Sequence, residues 1–202
     1  TDWDGVQGPV MDVLGELVAK GLVGHTGIGG TTAYELAHFV RSGKFDVVLT
    51  AFNYSLLWRE AEHAVLPAAR ELALGVVAGS PLQQGALARR YDDEVERGAP
   101  WLSPPRRQQY KALYKFLDEL GMPIAELALR FVISNPAIHC VLIGARSVVE
   151  VESSVRAVEK GPLPAEVLAR LDEIAAMVPF RPFEEPFGLP FGARRSGPGM
   201  AR

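Results

Sequence analysis

The residues of this chain that could do chemistry are few, and most lack the spacing that chemistry requires. His25, His38, His63 and His139 show no metal-ligand spacing, and no acidic pair accompanies them on one helix face, so no metal site is expected. Cys140 stands beside His139, which hints at a thiol–imidazole pair. Neighbours on a strand point to opposite faces, however, so Cys140 is expected in packed core. Gly79-Ser80-Pro81 has no glycine two residues after the serine and is not a nucleophile elbow.

The stretch from Gly24 to Thr32 imitates two phosphate motifs and satisfies neither. A Walker loop needs lysine after its last glycine, where Gly30 sits, and a dinucleotide fingerprint from Gly27 needs a third glycine at Thr32. The stretch reads as a turn between strand and helix. Tyr110, Leu113, Tyr114 and Leu117 recur at helical spacing and read as a packing stripe. Trp101 lies in a long proline-rich connection of the kind that is often functional, so structural anchor and substrate wall both stay open.

These residues must be positioned by a scaffold, and composition bounds it. The chain has 202 residues, 48% hydrophobic and 22% charged, enough apolar mass for one sizeable core. Net charge is -3 and the cations are scattered, which excludes the electrostatic footprint of a nucleic-acid binder. One cysteine permits no intrachain disulfide, and a cytoplasmic location fits. No run has the apolar length to cross a membrane. The opening Thr1-Asp2-Trp3-Asp4-Gly5 is acidic, without a signal-peptide pattern or a methionine, which fits either processing or a segment upstream.

Four strand-then-helix units follow one another. Leu22 to Ile28 leads to a helix capped by Thr31 or Thr32, and Asp46 to Phe52 leads to a helical stretch from Glu60 to Leu74 that Pro67 should break. Gly75 to Gly79 leads to a long connection, Ser80 to Pro105, and a helix from Arg106 to Leu120. Another helix opens with Pro123 in its first turn. His139 to Ile143 leads to a helix starting at Ser147, where Ser147 and Glu150 are spaced as a capping box. A helix from Val10 to Lys20 precedes these units and one from Pro164 to Met177 follows. The whole is expected to be one domain over 1–202, with 179–202 an extended tail.

Short apolar strands alternating with helices predict a parallel sheet, with its helices on one side. Four units make half of an eight-stranded α/β barrel, which takes roughly 250 residues. The expected fold is therefore α/β, of the TIM (β/α)8-barrel type, covering about the last four units.

Five blocks, in order, resemble aldo-keto reductases. They are Gly21 to Ile28; Phe45 to Val48 with Asn53 to Leu57; Gly75 to Leu87; Ala125 to Val132; and Val141 to Ser147. The resemblance covers roughly Gly8 to Val178. It implies an oxidoreductase that uses NADP(H), or NAD(H), on a small carbonyl or sugar substrate. It also implies that Ser80, Leu82 and Gly85 lie against the pyrophosphate. Gly144, Ala145, Arg146 and Ser147 would surround the adenosine 2′-phosphate, before a helix N-terminus that favours an anion. Ser153 and Ser154 fall where the family contacts adenine.

Departures stand beside these matches. Gly29-Gly30 replace the Ser-Asn pair that holds the nicotinamide amide, Leu49 replaces a glutamine, and Gly79 replaces a stacking aromatic, as in a sugar-oxidising branch. Glu150 stands where strong NADP binders carry Arg or Gln. The family's catalytic Asp, Tyr, Lys and His belong to the first half of the barrel, so no residue here is assigned a catalytic role. Either this is a piece of a working reductase, completed by an N-terminal half-barrel or by self-association, or it is a non-catalytic nucleotide-binding relative.

Overall fold

In the computed structural model, which describes residues 2–179, every strand of the sheet runs in one direction. Strands β1 (Gly27–Gly30), β2 (Val47–Ala51), β3 (Gly75–Gly79) and β4 (Cys140–Leu142) pair in parallel and in sequence order. Parallel neighbours need crossovers, and helices supply them. Helix α1 (Pro9–Ala19) precedes the sheet and α2 (Ala33–Arg41) joins β1 to β2. Helices α3 (Glu60–His63) and α4 (Val65–Glu71) join β2 to β3. Helices α5 (Asp92–Arg97), α6 (Pro104–Leu120) and α7 (Ile124–Ile133) join β3 to β4, while α8 (Val148–Glu159) and α9 (Ala165–Ala176) follow. Sequential order without a switch point is the layout of a barrel arc, unlike a doubly wound sheet.

The register sorts the strand residues onto two faces. Val48, Thr50, Val76 and Ala78 face the helices and are fully buried. On the other face the side-by-side rows are Gly27–Val47–Gly75, then Gly29–Leu49–Val77–Cys140, then Ala51–Gly79–Leu142. This second face is largely uncovered by the described residues, and Leu142 is 54% exposed on it. Cys140, expected in packed core, is exposed for the same reason: its register partner is Val77, on the open face.

Other boundaries differ from the sequence reading for local reasons. Strand β1 starts at Gly27 rather than Leu22, because Gly21 takes a left-handed turn after α1 and leaves Leu22 72% exposed. The break expected at Pro67 falls at Ala64, whose φ of -137° and ψ of -76° end α3. Pro67 then sits in the first turn of α4, where its missing N–H costs no helical bond. Helix α6 opens at Pro104, with the Ser103 hydroxyl accepting from the Arg106 N–H.

Polar clamps tie the outer helices down. Gln109, fully buried in α6, donates to the carbonyls of Ile174 (2.8 Å) and Ala175 (3.1 Å) in α9. Arg59 lies 4.1 Å over the Phe131 ring and donates to Asp172 at 2.7 Å. Arg130 at the end of α7 donates to the carbonyls of Gly161 (2.9 Å) and Pro162 (3.1 Å) beyond α8. The tail expected over 179–202 lies, apart from Pro179, outside the described residues.

Candidate nucleotide site at the carboxyl rim

Because Gly79 is the register partner of both Ala51 and Leu142, the loops that follow β2, β3 and β4 leave the sheet side by side. The loop after β3 concentrates more positive-φ backbone than any other loop among the described residues. Ser80, Gln83, Gln84 and Gly85 have φ of 59°, 48°, 54° and 100°. Only glycine visits that region cheaply, so three non-glycine residues there mark stored strain, which collects at functional sites.

Two side chains hold this loop. The buried Gln83 donates through Nε2 to Ser55 Oγ, 2.6 Å away in the loop after β2. From the other side, the Tyr91 hydroxyl donates to the Gly85 carbonyl at 3.2 Å, and the Tyr91 N–H donates to the Tyr114 hydroxyl of α6 at 2.9 Å. Leu82 (φ -93°, ψ 13°) precedes the left-handed Gln83, a sequence of conformations that turns successive N–H groups to one side as an anion-binding nest. The Gln83 N–H bonds the Ser80 carbonyl, whereas the N–H groups of Leu82 and Gln84 donate to no group among the described residues. Nothing in the sequence marks this nest, since glutamines carry no signal for positive φ.

The loop after β4 brings Gly144, Ala145, Arg146 and Ser147 to the same rim, all exposed. Ser147 caps α8, its hydroxyl accepting from the Glu150 N–H at 3.2 Å. The reciprocal bond is displaced by one residue from a capping box: Glu150 Oε2 accepts from the Arg146 N–H at 2.7 Å. Its other oxygen lies 3.5 Å from the Arg146 guanidinium, which is 91% exposed. Ser153 and Ser154 lie further along α8 and bond within it, Ser153 accepting from Arg156 (3.1 Å) and Ser154 donating to the Glu150 carbonyl (2.8 Å).

Of the departures noted in the sequence, Gly29, Leu49 and Gly79 lie together on the open face, whereas Gly30 pairs with Thr50 and faces Leu36 of α2. A Cβ built on Gly29 would meet Leu49 Cβ at 3.5 Å, and one on Gly79 would meet Leu49 Cδ2 at 3.4 Å. Leu49 therefore lies across two glycines and replaces polar and aromatic groups with an apolar floor. Trp101 packs edge-on against Tyr91 (5.6 Å) and Tyr110 (5.8 Å), which makes it an anchor of the long connection. Tyr110, Leu113, Tyr114 and Leu117 are all buried, as a packing stripe should be.

Two tyrosines are committed to structure. Tyr54 accepts a bond from Asn135 Nδ2 at 2.9 Å and burial pushes its phenol up to about 12. Burial likewise pushes Tyr114 up to about 12. Among the described residues there is no group of three or more His, Cys, Asp or Glu able to hold a metal ion, and no helix is long and apolar enough to cross a membrane.

An arc of parallel strands in sequence order, with its longest loops at one rim, is part of an α/β barrel. The model of the Aldo/keto reductase family matches residues 2–176, and the chain belongs to that family. It is 34% identical over 186 residues to an uncharacterized oxidoreductase, YrpG, of Bacillus subtilis, covering 86% of this chain and 54% of that protein. It is 30% identical over 135 residues to a D-threo-aldose 1-dehydrogenase of a Pseudomonas species, covering 65% and 40%. It is also 25% identical over 191 residues to a putative voltage-gated potassium channel subunit beta of Schizosaccharomyces pombe, covering 84% and 55%. The chain thus spans about half the length of these curated relatives.

Proposed function

We propose that this chain is the nucleotide-binding half of an NAD(P)(H)-dependent aldo-keto reductase that acts on an aldehyde, a ketone or a sugar. The observation that carries this reading is the pair of N–H groups, Leu82 and Gln84, that donate to no group among the described residues and are presented by a strained loop at the carboxyl rim of a parallel sheet. Such donors suit the two phosphates of a dinucleotide. Leu82 and Gln84 would hold the pyrophosphate, with Ser80 and Gly85 completing the loop. Gly144, Ala145, Arg146 and Ser147 would face the adenosine end, and Ser153 and Ser154 the adenine. When bound, the cofactor would supply the hydride.

What this chain's residues do is bind and orient. The open face, floored by Leu49 between Gly29 and Gly79, offers the nicotinamide end an apolar surface without hydrogen-bond partners. In this reading the general acid for the nascent alkoxide comes from the other half of the barrel, and Tyr54 and Tyr114, both engaged in structural hydrogen bonds, do not serve as it. A further half-barrel would supply it and cover the open face. The test is a titration of the full chain with NADH and NADPH, followed by quenching of tryptophan fluorescence. Saturable binding of either supports the reading, and binding of neither overturns it.

The similarity to a putative voltage-gated potassium channel subunit beta favours one alternative, a half-barrel relative that acts as an interaction module. The two readings separate when an N-terminal half-barrel from the same gene is supplied. Aldehyde-dependent oxidation of NAD(P)H then identifies the enzyme, and binding without turnover identifies the module.

A further inference from the structure

We propose that Tyr91 is a positioning residue for the cofactor's diphosphate, acting through the Gly85 carbonyl, with the Gln83–Ser55 bond as its counterpart on the opposite side of the loop. This inference rests on the dinucleotide reading above. The loop from Ser80 to Gly85 stores backbone strain at three non-glycine residues and would relax if it were free. It is tied at two points. Gln83 Nε2 reaches Ser55 Oγ at 2.6 Å, and that same oxygen accepts the Trp58 N–H at 3.2 Å, so the anchor is itself fixed. Tyr91 is buried, and its hydroxyl reaches the Gly85 carbonyl at 3.2 Å.

Tyr91 is in turn held by the long helix α6, through its N–H on the Tyr114 hydroxyl, and by the edge of Trp101. A rigid helix is thereby connected to Gly85, which follows the nest with a φ of 100° and bonds back through its N–H to the Leu82 carbonyl. The direction of influence follows from the geometry. Losing the Tyr91 hydroxyl frees Gly85, lets Gln83 and Gln84 leave the left-handed region, and turns the Leu82 and Gln84 N–H groups out of convergence. The ring contacts with Trp101 and Arg89 need no hydroxyl, so the packing survives. A residue that served stability alone would alter every ligand equally. A residue that shapes the nest alters only ligands that carry a diphosphate.

The experiment is calorimetric titration of the full chain, its Tyr91→Phe variant and its Ser55→Ala variant with two probes. ADP-ribose carries the diphosphate, and adenosine 2′-monophosphate carries only the adenosine end. Tyr91→Phe is expected to weaken ADP-ribose about threefold to tenfold, the range of one lost hydrogen bond, and to leave adenosine 2′-monophosphate unchanged. Ser55→Ala should show the same selectivity, and it decides the matter if Tyr91→Phe fails to fold. Unchanged ADP-ribose affinity in the variants, or equal loss of both probes, overturns the positioning role. Failure of the parent chain to bind ADP-ribose overturns the dinucleotide reading itself.

Discussion

The Glu150 carboxylate takes the Arg146 backbone N–H at 2.7 Å and stands 3.5 Å from the guanidinium of the same residue. A carboxylate therefore already occupies the end of α8 where the resemblance would place an adenosine 2′-phosphate. A phosphate placed there would meet a like charge, and the arginine that would bind it is already paired with Glu150. Replacing Glu150 by Gln keeps an acceptor for the Arg146 N–H and removes the charge. The expected result is a rise of about threefold to fivefold in affinity for NADPH relative to NADH, the scale of an exposed charge pair. Arg146→Ala should move the ratio the other way. An unchanged ratio in both variants would show that this loop does not read the 2′-position.

Arg59 and Asp172 form an ion pair of unequal weight. The guanidinium is only 12% exposed, stacks on Phe131 and also bonds the Leu56 and Leu171 carbonyls, whereas the carboxylate is 64% exposed. Arg59→Ala should cost about 2–3 kcal/mol of stability, because it leaves buried acceptors unpaired and removes a cation–π contact. Asp172→Ala should cost less than ~1 kcal/mol. Urea unfolding of both variants gives the comparison, and equal losses would place the energy in the ion pair after all.

Alkaline stability should depend on Tyr54. Burial pushes its phenol from the ordinary 10.0 up to about 12, so folding favours the neutral form. That contribution is fully present below pH 10 and is lost as the pH rises through 12, by about 2–3 kcal/mol. Tyr54→Phe should cost about 1 kcal/mol at neutral pH, where Asn135 loses its acceptor, yet fall less steeply between pH 10 and 12. Parallel pH profiles for parent and variant would refute this.

The sequence makes the scaffold legible because β-branched runs and glycine stops are local signals. Strand β3 falls on Gly75–Gly79 as read, β2 lies within the expected 46–52, and Ser147 caps α8 as its spacing requires. Helix α5 also had a signal, acids at Asp92, Asp93 and Glu94 in its first turn and a left-handed Gly98 at its end, which a reading of 80–105 as pure loop passes over. The nest at Leu82 to Gln84 could not be read in this way. It exists because tertiary bonds from Ser55 and Tyr91 force glutamines into a conformation they do not prefer, and no local pattern encodes that. The exposure of Cys140 is equally non-local, since it depends on which face of the sheet is covered.

The last prediction is that this chain alone does not reduce carbonyls and does not remain a monomer. Its open sheet face carries Leu49, Val77 and Leu142, and the outer edges of β1 and β4 have no neighbouring strand among the described residues. Along α8, Val148, Val151, Val155 and Val158 recur at helical spacing and are all exposed, as are Val10, Val13 and Val18 on α1. Apolar helix stripes at both ends of one open sheet, beside unpaired strand edges, are a template for association. Size-exclusion chromatography with light scattering should show a self-associated species. Val155→Glu together with Leu142→Lys should lower its mass without unfolding the chain, as judged by circular dichroism. The same fractions, assayed with NADH and NADPH against a panel of aldehydes and aldoses, should show no oxidation above the uncatalysed rate. Positioned general acids typically supply about a hundredfold to ten-thousandfold of rate, and the proposed reading places that acid in the other half of the barrel. A monodisperse monomer that turns over substrate would overturn the inactivity and the half-barrel reading together.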